Sequence, residues 1–406
     1  MAARIAAVTP GAGAAEALAG PGAGRTVLLD GDPAAPQQAR LGAALAQRGW
    51  RVLVLDAPRV ALQIRTEFKG NCREVRAVPG WLGPLRRRQL PLLARQWGVD
   101  VVHLNFLRPA QLGWTRAGAP PYVATAWGSD LNDEVIKRST AYVSAVTKIL
   151  QEASAVTADS LPLLRKAEAR MGASEAPRQL VLWSADLSQF DRAKVQASAE
   201  RFRRELGIAA GQKVLLSPRQ PQAHYHQERI VEGFARSQWA QRGVLVLKRH
   251  GKGGEDGYLK QVLDLALQLG VGDRVLLAPR VAYADLPGLY ALADAAVSLP
   301  EADGVPSTFL ELMALQVPIV ASDLPAYERV LVQEERALLV APGDIDGLAK
   351  ALDRLLLDPE LAPRMTAAAR SWALGHADWS RAVDAWETLY LRAIASGSPA
   401  KFLAEP

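Results

Sequence analysis

Cysteine is nearly absent: the 406-residue chain has a single one, Cys72. That excludes an internal disulfide and a cysteine-based metal cluster, and a reduced thiol in a cytoplasmic setting is the simplest reading. No run of about 18 apolar residues occurs, so no spanning helix is expected. The start, MAARIAAVTPGAGAAEALAGPGAG, breaks its short apolar stretches with Gly and Pro. It fails as a signal-peptide core and reads as a flexible extension over residues 1–24. No Gly-x-Ser-x-Gly elbow and no Walker loop appear. No Asp-x-Asp stands in a metal-transferase setting, and no His/Cys/acid cluster has ligand spacing, so neither a metal nor another cofactor is implied. Charge of one sign is only mildly in excess, at 48 Lys+Arg against 42 Asp+Glu. The basic residues are not gathered into a tail, and nucleic acid is not expected as a partner.

What the chain does have is alternation. Its length exceeds what one core supports, so two domains are the default. TVLLD (26–30), RVLVLD (51–56), VDVVHLNF (99–106), PYVATAW (121–127), SAVTAD (154–159) and QLVLW (179–183) read as strands. Amphipathic stretches such as APQQARLGAALAQRG (35–49) lie between most of them. Near-continuous Val/Leu/Ala strands alternating with helices argue for a parallel sheet covered on both faces. The pattern pauses over 184–210, at a turn and a charged helix. It then restarts with strands KVLLSP (213–218), GVLVLKR (243–249), RVLLAP (274–279) and AAVSLP (295–300). Helices are expected at 228–240, 258–270, 286–293, 344–357, 360–374 and 379–396. The fold class is α/β, with two doubly wound Rossmann-like domains at 25–188 and 189–378 facing across a cleft, and a closing segment at 379–406.

Residues 294–340 carry the densest chemistry. They read as strand, polar loop, helix, strand, loop and helix, then strand. Asp303 and Glu311 bracket the point where loop becomes helix. The first N–H groups of a helix lack internal partners and favour negative charge, so a diphosphate suits them. Carboxylates can then hold the hydroxyls of a sugar or ribose. Two structural alternatives stand beside this. Thr308-Phe-Leu-Glu311 is a capping-box pattern, and Asp303 is an acid before a Gly turn.

The segment YADLPGLYALADAAVSLPEADGVPSTFLELMALQVPIVASDLPAYERVL resembles glycosyltransferase family 4, the retaining nucleotide-sugar transferases of the GT-B fold. The resemblance extends over nearly all of 211–396. The family's acid pair, separated by seven residues, matches Asp303 and Glu311, whereas Glu301 is out of register by two. The resemblance implies that Glu311 holds the donor ribose and Asp303 contacts the transferred sugar. It places Gly304, Val305 and the amides of Ser307 and Thr308 around the donor. In LLSPRQPQAHYHQERIVEGFA (215–235), Arg219 falls on the family's phosphate-binding Arg, and Tyr225 stands where a Lys is usual. Lys248 or Arg249 could supply that charge; His224 and His226 flank Tyr225. In the first domain, His103 ends a matching strand. YVATAWGSDL (122–131) matches a His-Gly-(Ser/Thr)-Asp segment, with Trp127 in place of the His. Gly128 would let a donor approach, and Asp130 would touch sugar or acceptor or else cap a helix at 131–138. Only Gly31, beside Asp32, stands where the family has paired glycines. LWSADLSQF (182–190) matches the interdomain hinge at Asp186 and Phe190, with Ser184 and Ala185 in place of the usual pair. The helix at 379–396 would return to the first domain.

The implied activity is metal-independent, retaining transfer from a nucleotide-diphosphate sugar to a small-molecule, glycan or lipid-linked acceptor. The first domain would take the acceptor side and the second the donor. A nucleotide-sugar epimerase on the same architecture and a degenerate, non-catalytic scaffold subunit are the alternatives. WLGPLRRRQLPLLARQW (81–97) is basic and aromatic, and leaves room for weak peripheral contact with the inner face of a membrane. Pro84 and Pro91 interrupt it and favour an ordinary exposed helix.

Overall fold

A computed structural model describes residues 20–31, 36–55, 72–79, 81–132, 137–184, 186–249 and 256–397. The expectations on residues 1–19, Asp32, 133–136 and Ala185 lie outside the described residues. The chain divides into two compact units, Met1–Val181 with Val383–Pro406, and Leu182–Ala382. No described helix is long and apolar enough to cross a membrane.

The first unit holds a seven-stranded sheet in the order β3-β2-β1-β4-β5-β6-β7. Its strands are β1 (Thr26–Asp30), β2 (Arg51–Leu55), β3 (Cys72–Val75), β4 (Val101–Asn105), β5 (Tyr122–Ala126), β6 (Ala155–Ala158) and β7 (Arg178–Leu180). Every pairing is parallel. Sequence patterning misses β3, because CREV is short and half polar, a composition that suits an edge. Pro84 and Pro91 do not interrupt the helix Gly83–Trp97. Pro84 lies in the first turn, where a missing N–H costs nothing, and Pro91 removes one internal bond.

The second unit holds a six-stranded sheet in the order β10-β9-β8-β11-β12-β13. These are β8 (Lys213–Ser217), β9 (Gly243–Leu247), β10 (Val275–Leu277), β11 (Ala295–Ser298), β12 (Ile319–Ser322) and β13 (Leu338–Val340). On β8, Val214 and Leu216 enter one core cluster and Leu215 the other; on β9, Val244 and Val246 part from Leu245 and Leu247 in the same way. Burial on both faces is why these strands read as unbroken apolar runs. Two expectations fail here. The helix at 228–240 is two helices, Gln227–Arg236 and Trp239–Arg242. They part at Ser237, whose amide and hydroxyl both turn back to the Phe234 carbonyl. The helix expected between β12 and β13 is a single 3-10 turn, Pro325–Tyr327.

The helix Trp379–Ser396 belongs to the first unit from Val383 onward. Its Glu387 is 2% exposed. It accepts hydrogen bonds from the Gly22 amide (3.1 Å), Trp50 Nε1 (2.8 Å) and Arg48 Nη1 (2.9 Å). One turn on, Tyr390 Oη lies 2.5 Å from His103 Nδ1, while His103 Nε2 lies 2.6 Å from Thr125 Oγ1. Burial pushes the His103 pKa from its ordinary 6.5 down to about 3. Between those values the unfolded chain binds this proton and the folded chain does not. Stability present at neutral pH is therefore lost as pH falls below the unfolded value, by up to about 1.4 kcal/mol per pH unit. Urea melts should show a lower midpoint at mildly acidic than at neutral pH, and His103→Asn should flatten that difference. An unchanged slope in the variant would show that another group carries the acid sensitivity.

Candidate active site

In the second unit the strand order reverses between β8 and β11. The crevice outside the carboxyl ends of strands at such a reversal is where doubly wound sheets take ligands. β8 runs out at Ser217 and delivers Arg219; β11 runs into the loop that carries Asp303. The two meet, with Arg219 Nη2 2.9 Å from Asp303 Oδ2 and side chains only 11% and 17% exposed. Tyr327 Oη donates to Asp303 Oδ2 at 3.1 Å, and the Gly304 amide to Oδ1 at 3.0 Å. Arg219 also donates to Tyr225 Oη at 2.5 Å, and its guanidinium carbon lies 4.1 Å from the centre of that ring. Burial works against the Arg219 charge, yet Asp303 and the nearby tyrosines outweigh it and raise its pKa further. Burial pushes the Asp303 carboxyl up, against the pull of Arg219, Tyr327 and the Gly304 amide. The tyrosine standing where a lysine was expected thus braces the arginine.

The helix Ser307–Ala314 follows Pro306, which occupies the N-cap and offers no side-chain acceptor. Thr308 is already helical and Glu311 lies in the second turn, so the capping box suggested by the sequence does not form. Glu311 is nevertheless 2% exposed, with Tyr283 Oη at 3.4 Å. Burial, and then the proximity of Glu311, raise the pKa of Tyr290, whose hydroxyl is hydrogen-bonded to Thr308. The amides of Ser307 and Thr308 are the first two of the helix and have no partner within it. The Gly304 amide is turned onto Asp303, and the Val305 side chain is buried in the core. Lys248 follows β9 half-buried, its amide donating to the Ser217 carbonyl at 3.1 Å, which sets it beside the end of β8. Arg249 is also half-buried. Glu301, by contrast, is 58% exposed and paired with Arg229 at 2.8 Å. His226 adopts a positive φ of 50° ahead of the helix Gln227–Arg236 and lies 2.8 Å from Glu228. His224 is exposed, its ring against Tyr225, and partial desolvation lowers its pKa.

Trp127, Gly128 and Asp130 belong to the first unit, after β5. Asp130 is fully buried and accepts from the amides of Leu107 (2.8 Å), Trp127 (3.1 Å) and Gly128 (2.9 Å). All three precede it in sequence, so Asp130 holds the loop that presents Trp127; the middle of the helix expected to follow it lies outside the described residues. Burial raises its pKa and those amides offset part of the rise. Gly128 has φ 122°, a conformation that a side chain would strain. The end of β1 is anchored by a residue that sequence reading passed over. Asp30 accepts from Trp114 Nε1 at 2.7 Å and pairs with Arg108 at 3.1 Å. Asp186 caps the 3-10 turn Leu187–Gln189, and Phe190 is buried.

Family comparison gives two matches. The model for glycosyl transferases group 1 matches residues 198–372, and that for glycosyltransferase family 4 matches 38–182. The chain belongs to the family 4-like glycosyltransferases. Among curated relatives, this family member is 31% identical over 140 residues to a GDP-mannose-dependent alpha-(1-6)-phosphatidylinositol monomannoside mannosyltransferase of Mycobacterium tuberculosis. That match takes in 32% of the chain and spans 34% of the relative, about a third of its length. It is 25% identical over 386 residues to D-inositol 3-phosphate glycosyltransferase of Gordonia bronchialis, covering 87% of the chain and 82% of the relative. The fold is GT-B. Anabaena HepE in complex with UDP superposes with a TM-score of 0.76 at 19% identity, over 90% of this chain and 99% of that one. Sucrose-phosphate synthase from Thermosynechococcus elongatus gives 0.75 at 22% identity, over 92% and 100%.

Tyr283, Tyr290 and Tyr327 are what sequence reading missed in this family 4-like transferase. Their rings are apolar enough to pass as core, and only coordinates show the hydroxyls aimed at acids or at the helix start. Among the described residues, no group of three or more His, Cys, Asp or Glu side chains is placed to hold a metal ion.

Proposed function

We propose that the protein is a retaining, metal-independent transferase that moves a sugar from a nucleotide-diphosphate sugar to an acceptor. The observation that carries this is the Arg219–Asp303 pair at the strand-order reversal of the second unit, beside the start of the helix Ser307–Ala314. A donor diphosphate takes the amides of Ser307 and Thr308 together with Arg219, aided by Lys248 or Arg249. Glu311 accepts the ribose hydroxyls and Asp303 the hydroxyls of the sugar. The bond from the anomeric carbon to the phosphate oxygen breaks, and the acceptor oxygen bonds on the same face. The departing diphosphate takes the acceptor's proton, and its negative charge is stabilised by Arg219. Trp127 offers a flat face for a sugar ring. Gly128 keeps the approach open, and Asp130 positions both. The names of the relatives support a nucleotide-sugar donor: HepE has been solved with UDP-glucose, and the mycobacterial enzyme is GDP-mannose-dependent.

A thermal-shift screen of UDP-, GDP-, ADP- and TDP-sugars checks the reading. At least one should stabilise the protein by about 2.7 kcal/mol at a hundred times its Kd. Transfer should proceed unchanged in EDTA, with the anomeric configuration retained by NMR. No shift with any donor, or activity lost in EDTA and restored by magnesium, would overturn the corresponding part.

A further inference from the structure

The helix Gly83–Trp97 of the first unit has one face accounted for and one not. Leu90 and Ala94 enter the core, and Arg86 is buried with Nη1 on the Val78 carbonyl at 2.8 Å. The opposite side exposes large apolar groups: Leu85 is 54% and Leu92 61% exposed, and Trp81, just ahead of the helix, is 81% exposed. Leu85, Arg88, Leu92 and Arg95 follow at spacings of three, four and three, which places them along one stripe. Arg87 is exposed beside it. From residue 75 to residue 99 the sequence contains five arginines and no acid. Scattered exposed leucines are ordinary, but a stripe of apolar side chains interleaved with cations is not.

We propose that this face docks on an anionic lipid bilayer. The apolar groups enter the headgroup boundary and Arg87, Arg88 and Arg95 meet lipid phosphates, the combination that holds interfacial helices. The absence of acids removes the repulsion such a surface would otherwise meet, and leaves the cations of a protein partner of mixed charge nothing to pair with. The continuity of the helix through Pro84 and Pro91 is what makes the stripe a single surface. This inference is independent of the donor site.

Flotation with vesicles tests it on the full chain. Vesicles of equal parts phosphatidylcholine and phosphatidylglycerol should bind the protein, those of phosphatidylcholine alone should bind little, and salt should weaken the interaction. Arg87→Gln with Arg88→Gln should lower the partition coefficient roughly 30-fold. Leu85→Gln with Leu92→Gln should also release the protein, and both pairs should keep the wild-type melting temperature and donor-induced shift. No binding to the anionic vesicles overturns the proposal, as does binding that neither pair of substitutions reduces.

Discussion

Asp303→Asn should abolish sugar transfer, lowering kcat/KM by at least about 100-fold, while nucleotide binding is kept or tightened. Asn is nearly the same shape, and its one carbonyl oxygen can still accept from the Gly304 amide while its NH2 faces the Tyr327 hydroxyl, which can turn to accept. What it removes is the negative charge facing Arg219 at 2.9 Å. An incoming diphosphate then no longer competes with Asp303 for the guanidinium. The lost pair should destabilise the fold by roughly 1–3 kcal/mol, less than a fully buried pair would cost because both side chains keep some contact with water. Glu311→Gln should separate from it kinetically. Its expected effect is a donor KM raised about 10-fold or more, with kcat less affected, because ribose binding does not change as the sugar leaves. Steady-state kinetics with isothermal titration of the free nucleotide read both. Normal turnover in both variants would remove these acids from the site.

The second large effect is on stability. Glu387→Ala should cost roughly 3–5 kcal/mol, because it leaves Arg48, Trp50 Nε1 and the Gly22 amide without their shared carboxylate. Glu387→Gln should cost less, since its carbonyl can still accept from Trp50 while its amide cannot serve Arg48. Urea unfolding of the three proteins gives the order. An alanine variant within about 1 kcal/mol of wild type would show that the carboxylate is not what holds these groups.

Strands buried on both faces announced themselves, since an unbroken Val/Leu run has few other uses; β8 and β9 are the clearest cases. β3 stayed hidden because an edge strand needs no such run. Asp303 and Glu311 could be placed by their spacing within a recognisable block. The roles of their neighbours could not, because a tyrosine reads the same whether its hydroxyl meets water or a buried acid. One local pattern misled, and another told only part. Thr308 and Glu311 have capping-box spacing, yet the helix begins earlier, at a proline. Asp130 has the position of an N-cap, and no pattern in the sequence shows that its carboxylate also turns back to the amides of Leu107 after β4 and of Trp127 and Gly128 after β5.

The first unit is discontinuous: it lacks Val383 and everything after it until the chain is nearly complete. A ribosome adding about 5–20 residues per second needs roughly 10–40 s to make the intervening Leu182–Ala382. Throughout that interval Trp50 and His103 wait for Glu387 and Tyr390, with their future contacts open to solvent. The nascent first half is therefore a natural client for a chaperone, and the second unit, continuous in sequence, is free to fold before it.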